Sequence, residues 1–249
     1  MTYSLVLASQ SPRRQELLAQ IGYTFTCKPA NVNEDLKKNE QANDYVKRLA
    51  VEKAQATFQL LNASQQITAV VLGSDTSVIY QQNILGKPSN LEDCIKQLQM
   101  LSGKTHQVLT SIAAVNINKM RCEVITTDVT FKVLSIEEIT HYWHTGEPQD
   151  KAGSYGIQGI AAQFVTNISG SYTGVVGLPL YETAQLLSTF GISTSLNKPL
   201  NKVQMDSFKL NTKLNTKLST KLSLDQSSEQ NANKNSDQIT KQNNSKENP

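Results

Sequence analysis

The chain has 249 residues and a net charge of +3, which is long enough for one large domain or two small lobes with a real core. The charge does not point to a nucleic-acid partner: residues 201–249 hold 8 Lys against 5 acidic residues, leaving 16 basic and 16 acidic residues in the first 200. Cys27, Cys94 and Cys122 are odd in number, far apart and without CxxC or Cys/His spacing, so a reduced compartment with incidental thiols is expected.

The first residues lack a basic lead, and no stretch approaches 18 apolar residues, a pattern that predicts a cytoplasmic location with neither signal peptide nor membrane span. Residues 3–8 read as a buried strand. It stops at Ser9-Gln10-Ser11-Pro12, where Ser11 is placed to cap a helix that starts on Pro12, carries Leu17, Leu18 and Ile21, and ends at Gly22. The longest predicted helix, 44–61, puts Val46, Leu49, Ala50, Ala54, Phe58 and Leu61 on one face. Lys53 falls in that stripe, where an ammonium must snorkel or meet an anion. Residues 69–72 form a short apolar strand ending at Gly73-Ser74-Asp75-Thr76; 77–80 resumes as strand and 81–83 turns.

Ser89 with Glu92 is a predicted capping box for a helix through 101. Strands follow at 107–117 and 122–133 around a turn at Asn118-Lys119, the second alternating near period two. Ser135 with Glu138 opens a helix to 145. Residues 147–159 form a glycine-rich polar loop, 162–168 a strand, and Val175-Val176 a short strand or strand end. Pro179 opens a last helix that buries Leu180, Ala184 and Leu187. Helices alternate with strands, but one long antiparallel pair lies in the middle, so the expected class is α/β with a mixed sheet. Residues 1–197 are the expected folded unit. Residues 198–249 are a low-complexity tail with a Lys-Leu-Asn-Thr repeat from Lys209. Asn, Ser and Thr are poor helix residues, so disorder is its expected state, with a weak surface or partner helix as the alternative.

Arg13 and Arg14 fall in the first turn of a helix, a poor place for cations unless an anion is present. With Ser9, Ser11 and free backbone N–H groups they would clasp a phosphate; the alternative is an exposed pair bridging to Glu16 or solvent. Asp75, at the end of a central strand, occupies the place where α/β sheets bind ligands, or is an ordinary turn aspartate. Glu34 and Asp35 lie in a polar loop and are candidates to ligate a hard divalent cation with Asp75. Lys53, Lys87 and Lys151 are further candidate cations, with surface solubility the plain alternative for the last two. The glycines at 153, 156 and 159 permit close backbone approach to a ligand or simply make turns, and form neither GxGxxG nor Walker A. His106 reads as structural rather than as a base. His141 and His144 have no third ligand at zinc spacing. The set suits a phosphate-rich substrate bound with a divalent ion and does not by itself name a reaction.

Six blocks in order resemble the Maf family of nucleotide pyrophosphatases. They are Leu7-Ala8-Ser9-Gln10-Ser11-Pro12-Arg13-Arg14, Leu72-Gly73-Ser74-Asp75-Thr76 (with Ser74 where Ala is common), Gly86-Lys87-Pro88, Ser102-Gly103-Lys104-Thr105-His106, the run from Asp150 to Gly159, and Val176-Gly177-Leu178-Pro179-Leu180. The resemblance runs from about residue 3 to 195. It implies an α/β fold with an elongated mixed sheet flanked by helices and two lobes around a central cleft, similar to the inosine triphosphate pyrophosphatases. It implies cleavage of the α–β phosphoanhydride of a nucleoside triphosphate with a divalent cation, Mg²⁺ or Mn²⁺, and a possible homodimer; neither a nucleic acid nor a membrane is an expected partner.

The late block resembles the dTTP/UTP branch. By that resemblance Asp75 is the proton acceptor, Lys53 and Lys87 act beside it, and Glu34 with Asp75 would hold the metal. Ser9, Arg13, Arg14, Thr76, Lys151 and Gln158 would bind the substrate, with Arg13, Thr76 and Gln158 selecting it. The alternatives are another nucleotide, such as CTP or 7-methyl-GTP, or a nucleotide-binding regulator of cell division.

Overall fold

The structure, a computed structural model, describes residues 3–194 and 196; the tail predicted at 198–249 lies outside the described residues. β1 (Ser4–Leu7) leads into α1 (Pro12–Gln20), which buries Leu17 and Leu18. Ser11 stands at the N-cap, but its side chain caps nothing; its amide instead donates to Ser9 Oγ at 3.2 Å. β2 (Phe25–Cys27) and α3 (Ala63–Thr68) have no counterpart in the sequence reading. Both are too short for a hydrophobic period to appear. Between them, α2 (Ala42–Gln59) takes the place of the longest predicted helix and buries Val46, Leu49, Ala50 and Ala54.

β3 (Ala69–Tyr80) turns through Gln81 and Gln82, both at positive φ, into β4 (Asn83–Leu85). The cap of α4 (Leu91–Leu101) is Asn90, which accepts from the Asp93 amide, and not the predicted Ser89. Ser89 donates its own amide to Asp93 Oδ2 at 3.0 Å, so Asn90 caps the helix without the reciprocal bond that would complete a box. β5 (Thr105–Val115) and β6 (Met120–Phe131) make the long antiparallel pair. α5 (Ile136–His144) carries the Ser135/Glu138 box as read.

Three short 3-10 turns lie between Glu147 and Phe164, ahead of β7 (Val165–Ser169). The strand expected at Val175-Val176 is instead a helix, α6 (Tyr172–Val176): Ser171 caps it by accepting from the Gly174 amide, and tertiary burial of Val176 overrides the β preference of two valines. α7 (Leu180–Ser188) buries the expected Leu187 together with Thr183 and Leu186, while the expected Leu180 and Ala184 are only half-buried, Leu180 against the larger core.

The seven strands form one mixed sheet in the order β2-β1-β3-β5-β6-β7, with β4 also on β3. The β2–β1 and β1–β3 pairs are parallel and the rest antiparallel. Side chains on β1, β3 and β5 are buried on both faces. Leu5, Leu7, Val70, Leu72, Val108 and Ile112 join the larger core, while Val6, Ala69, Val71 and Ala113 pack under α2. Among the described residues no helix is long and apolar enough to cross a membrane.

The expected strand end at Gly73-Ser74-Asp75-Thr76 does not occur. β5 pairs with β3 without a break from Val71 to Ile79, with Asp75 opposite Ser111. Ladder bonds keep these turn-prone residues extended, and Asp75 stands in mid-strand. The opposite edge of β3 is divided. β1 pairs with it only as far as Leu72, and β4 begins at Val78. Among the described residues, 73–77 have no strand beside them there. Leu72 directs its carbonyl to that edge, accepting from the Ala8 amide at 2.8 Å, so by the period of two Ser74 and Thr76 direct their backbone groups there as well.

His106 lies inside the larger core, 2% exposed, edge-on to Phe131 and Tyr155, with Nε2 2.8 Å from the Tyr155 hydroxyl. Burial lowers its pKa from 6.5 to about 4, against a smaller upward pull from Asp128. Between those values the unfolded chain binds a proton that the folded chain refuses. The stability contributed by neutral His106 is therefore complete above pH 6.5 and is lost as the pH falls through 4, at ~1.4 kcal/mol for each pH unit between the two values. The melting temperature should fall over this range, and less steeply in His106→Gln. Parallel curves for the two proteins would refute the assignment.

Candidate active site

A cleft of about 470 Å³ opens at the divided edge of β3. Successive side chains of a strand point to opposite faces, so Asp75 faces α2 and Thr76 faces α1 and α6. α2 crosses β3 very closely at Gly73, where an added Cβ would lie 2.3 Å from the Ala50 carbonyl oxygen and 2.8 Å from the Ala54 nitrogen. That approach brings Lys53 over Asp75. Lys53 Nζ is 2.7 Å from Asp75 Oδ1 and 2.7 Å from Glu34 Oε1. The Lys53 and Asp75 side chains are only 14% and 9% exposed, whereas Glu34 is open to the cleft. The cation in the apolar stripe of α2 thus meets anions rather than snorkelling to water.

Glu34 is held through its backbone. The Tyr45 hydroxyl donates to the Glu34 carbonyl at 2.8 Å, and Arg48 donates to the carbonyls of Asn33 and Asp35. Arg48 in turn forks onto both oxygens of Glu40, at 2.6 and 2.9 Å. This bidentate bond is the chief cause that holds the Glu40 carboxyl at about 2. Asp35 does not line the cleft, so of the two loop carboxylates Glu34 alone faces it.

Arg14 forms the opposite wall. Nε donates to the Gly177 carbonyl at 2.8 Å, Nη2 to Thr76 Oγ1 at 3.2 Å and Nη1 to Ser9 Oγ at 3.4 Å. Desolvation lowers its pKa, offset in part by Asp75 and then Glu34. Ser74 Oγ also donates to the Gly177 carbonyl, at 3.1 Å. Arg14, Ser9, Ser74 and Thr76 thus form a strut that joins α1, β3 and the end of α6. Arg13 is freer, with one long ion pair to Asp150 at 3.8 Å.

Residues 150–158 close the third side. Lys151 Nζ is engaged by Asp150 Oδ1 at 2.5 Å and by the Glu147 carbonyl at 2.9 Å. The Gly153 amide donates to the Gly86 carbonyl at 3.0 Å, tying the Lys87 turn to this segment. Among the described residues, exposed Lys87 has no ion-pair partner and the exposed Gln158 side chain has no hydrogen bond. The cleft therefore gathers Ser9, Arg13, Arg14, Glu34, Lys53, Asp75, Thr76, Lys87, Lys151 and Gln158 along one wall or another. Sequence reasoning passed over Tyr155 and the Gly177 carbonyl. A tyrosine between glycines carries no periodic signal, and a carbonyl carries none at all.

Residues 4–190 match the family described as Maf-like protein. The chain belongs to the Maf-like protein family. Among relatives, a protein of Colwellia psychrerythraea named dTTP/UTP pyrophosphatase is 58% identical over 193 residues, which cover 78% of this chain and 91% of that one. A Vibrio parahaemolyticus protein of the same name is 53% identical over 187 residues, covering 75% of this chain and 97% of its own. The solved Ham1 protein of Staphylococcus aureus aligns over 51% of this chain and 71% of its own with a TM-score of 0.37 and 14% identity, too distant to carry an argument.

In this Maf-like cleft, two carboxylates converge on the Lys53 ammonium, and among the described residues no group of three or more His, Cys, Asp or Glu is placed to hold a metal. Hard oxygen donors, few in number, fit an ion such as Mg²⁺, which takes one or two carboxylates and completes its shell with phosphate oxygens and water.

Proposed function

We propose that this chain is a cytoplasmic nucleoside triphosphate pyrophosphatase that hydrolyses dTTP and UTP to the monophosphate and pyrophosphate. The observation that carries the reading is the Glu34–Lys53–Asp75 cluster at the open edge of β3, in a chain 58% identical to a relative bearing that activity in its name. Residues 1–197 are the pyrophosphatase unit and 198–249 an appended tail. The nucleotide is the principal partner, with a second copy of the chain the one macromolecular partner the resemblance adds.

The substrate brings about four negative charges into a cleft whose least engaged cations, among the described residues, are Lys87 and Arg13, the latter held only by its long ion pair to Asp150. Asp75 accepts a proton from water as its oxygen bonds to the α-phosphorus. The bond from that phosphorus to the bridging oxygen breaks, and its electron pair leaves with pyrophosphate. Lys53 fixes Asp75 and Glu34 and offsets their charge, while Lys87 steadies the charge that grows on the leaving oxygens. Glu34 and Asp75 would hold Mg²⁺ or Mn²⁺, which supplies neutralisation of phosphate charge and a more acidic water. Gln158, without a hydrogen-bond partner among the described residues, offers a donor and an acceptor to the O4/N3 edge shared by thymine and uracil, which cytosine reverses.

Pyrophosphate release from dTTP, UTP, CTP, GTP and 7-methyl-GTP, measured with Mg²⁺ and with Mn²⁺, tests the reading. Release from dTTP and UTP well above the others is the expected result. A different preferred nucleotide would keep the enzyme and overturn the role given to Gln158. No release at all would shift the weight to a nucleotide-binding regulator.

A further inference from the structure

Glu147 stands outside the cleft lining, yet its side chain is one of the most fully bonded near it. Oε2 accepts from the Ile160 amide at 2.8 Å, and Oε1 accepts from the Tyr142 hydroxyl at 2.9 Å and from the Ala161 amide at 3.3 Å. The Tyr142 oxygen in turn accepts from the Gly156 amide at 3.2 Å. The carboxylate therefore pins residues 160 and 161 directly and residue 156 through one tyrosine. Gln158 is at the middle of that arc, and among the described residues no hydrogen bond holds its side chain. Gly159 has the same origin, whereas Gly156 is kept bare by the Lys151 side chain. A Cβ on Gly159 would lie 2.2 Å from Glu147 Oε2, and one on Gly156 would lie 2.7 Å from Lys151 Cε. Only bare backbone wraps this closely around a carboxylate.

We propose that Glu147 is a positioning residue for substrate choice: its carboxylate is the template on which residues 156–161 fold, and through them it sets where Gln158 stands in the cleft. The proposal rests on the reading of Gln158 as the base-selecting residue. A carboxylate suits this place because three donors point at its two oxygens; a glutamine keeps one acceptor oxygen, and an alanine leaves the exposed Ile160 amide and the part-buried Ala161 amide without this partner.

The test compares kcat and KM for dTTP, UTP and CTP in the full-length wild type, Glu147→Ala, Tyr142→Phe and Gln158→Ala, together with hydrogen exchange of the Gly156, Ile160 and Ala161 amides without nucleotide. Glu147→Ala should raise KM for dTTP and UTP about tenfold, a loss of about 1.4 kcal/mol, with a smaller change in kcat. Its preference for dTTP over CTP should fall toward that of Gln158→Ala, and the Ile160 and Ala161 amides should exchange faster. Tyr142→Phe, which frees only the Gly156 end, should fall between. Should Glu147→Ala not fold, Glu147→Gln and Tyr142→Phe carry the same comparison. A wild-type dTTP/CTP ratio in the Glu147 variants overturns the positioning role, as does a loss of kcat equal for every nucleotide that tracks melting temperature. Wild type that turns over neither dTTP nor UTP, or Gln158→Ala that keeps the preference, removes the reading beneath it instead.

Discussion

Asp75→Asn should lower kcat on dTTP by about 10²–10⁴-fold, the usual contribution of a positioned general base. The substitution keeps the shape of the side chain, and the ladder that pairs residue 75 with Ser111 is backbone-made. Melting temperature should therefore move little compared with turnover. Asparagine also removes the charge opposite Lys53, 2.7 Å away, which leaves the ammonium to Glu34 alone. Nucleotide binding should survive, because Arg13, Lys87 and Gln158 are untouched. Titration with a non-hydrolysable dTTP analogue, run beside single-turnover kinetics, separates the two effects. A turnover within tenfold of the wild type would remove Asp75 from the chemistry and leave it as the partner of Lys53.

Gly73→Ala should have the largest effect on stability while touching no ligand. Its Cβ would stand 2.3 Å from the Ala50 carbonyl oxygen, 2.8 Å from the Ala54 nitrogen and 3.0 Å from the Ala54 Cβ. These are helix backbone or fixed methyl atoms, so relief requires α2 to move as a body. Forced overpacking of this kind costs about 1–3 kcal/mol, and sometimes more. In a domain of this size each kcal/mol lowers the melting temperature by about 2–4 °C. The same movement lifts Lys53 from Asp75, and a displacement on the order of 1 Å near a reacting centre can cost about 10²-fold in rate. Calorimetry and kcat on one preparation should both show the loss. An unchanged melting temperature would mean that α2 is not seated on β3 as described.

The sequence by itself determined the order of the long elements, the mixed α/β class and, through the six separated blocks, the family. Helix α2 and the pair β5–β6 were legible because their apolar positions repeat for many residues, and the Ser135/Glu138 box because it is local. Lys53 was legible as an anomaly, a cation in an apolar stripe, although its partner was not. Only the tertiary structure decided that Asp75 lies in mid-strand, since β5 supplies hydrogen bonds from more than 30 residues away that no local propensity contains. It also decided that Val175-Val176 is helical, that the edge of β3 lies open between β1 and β4, and that Glu147 gathers the amides of residues 160 and 161. The β3–β5 ladder is a meeting of backbone groups distant in the chain, and the amides that Glu147 gathers are backbone groups 13 and 14 residues beyond it. Backbone groups are the same at every residue, so the sequence carries no mark of where they meet.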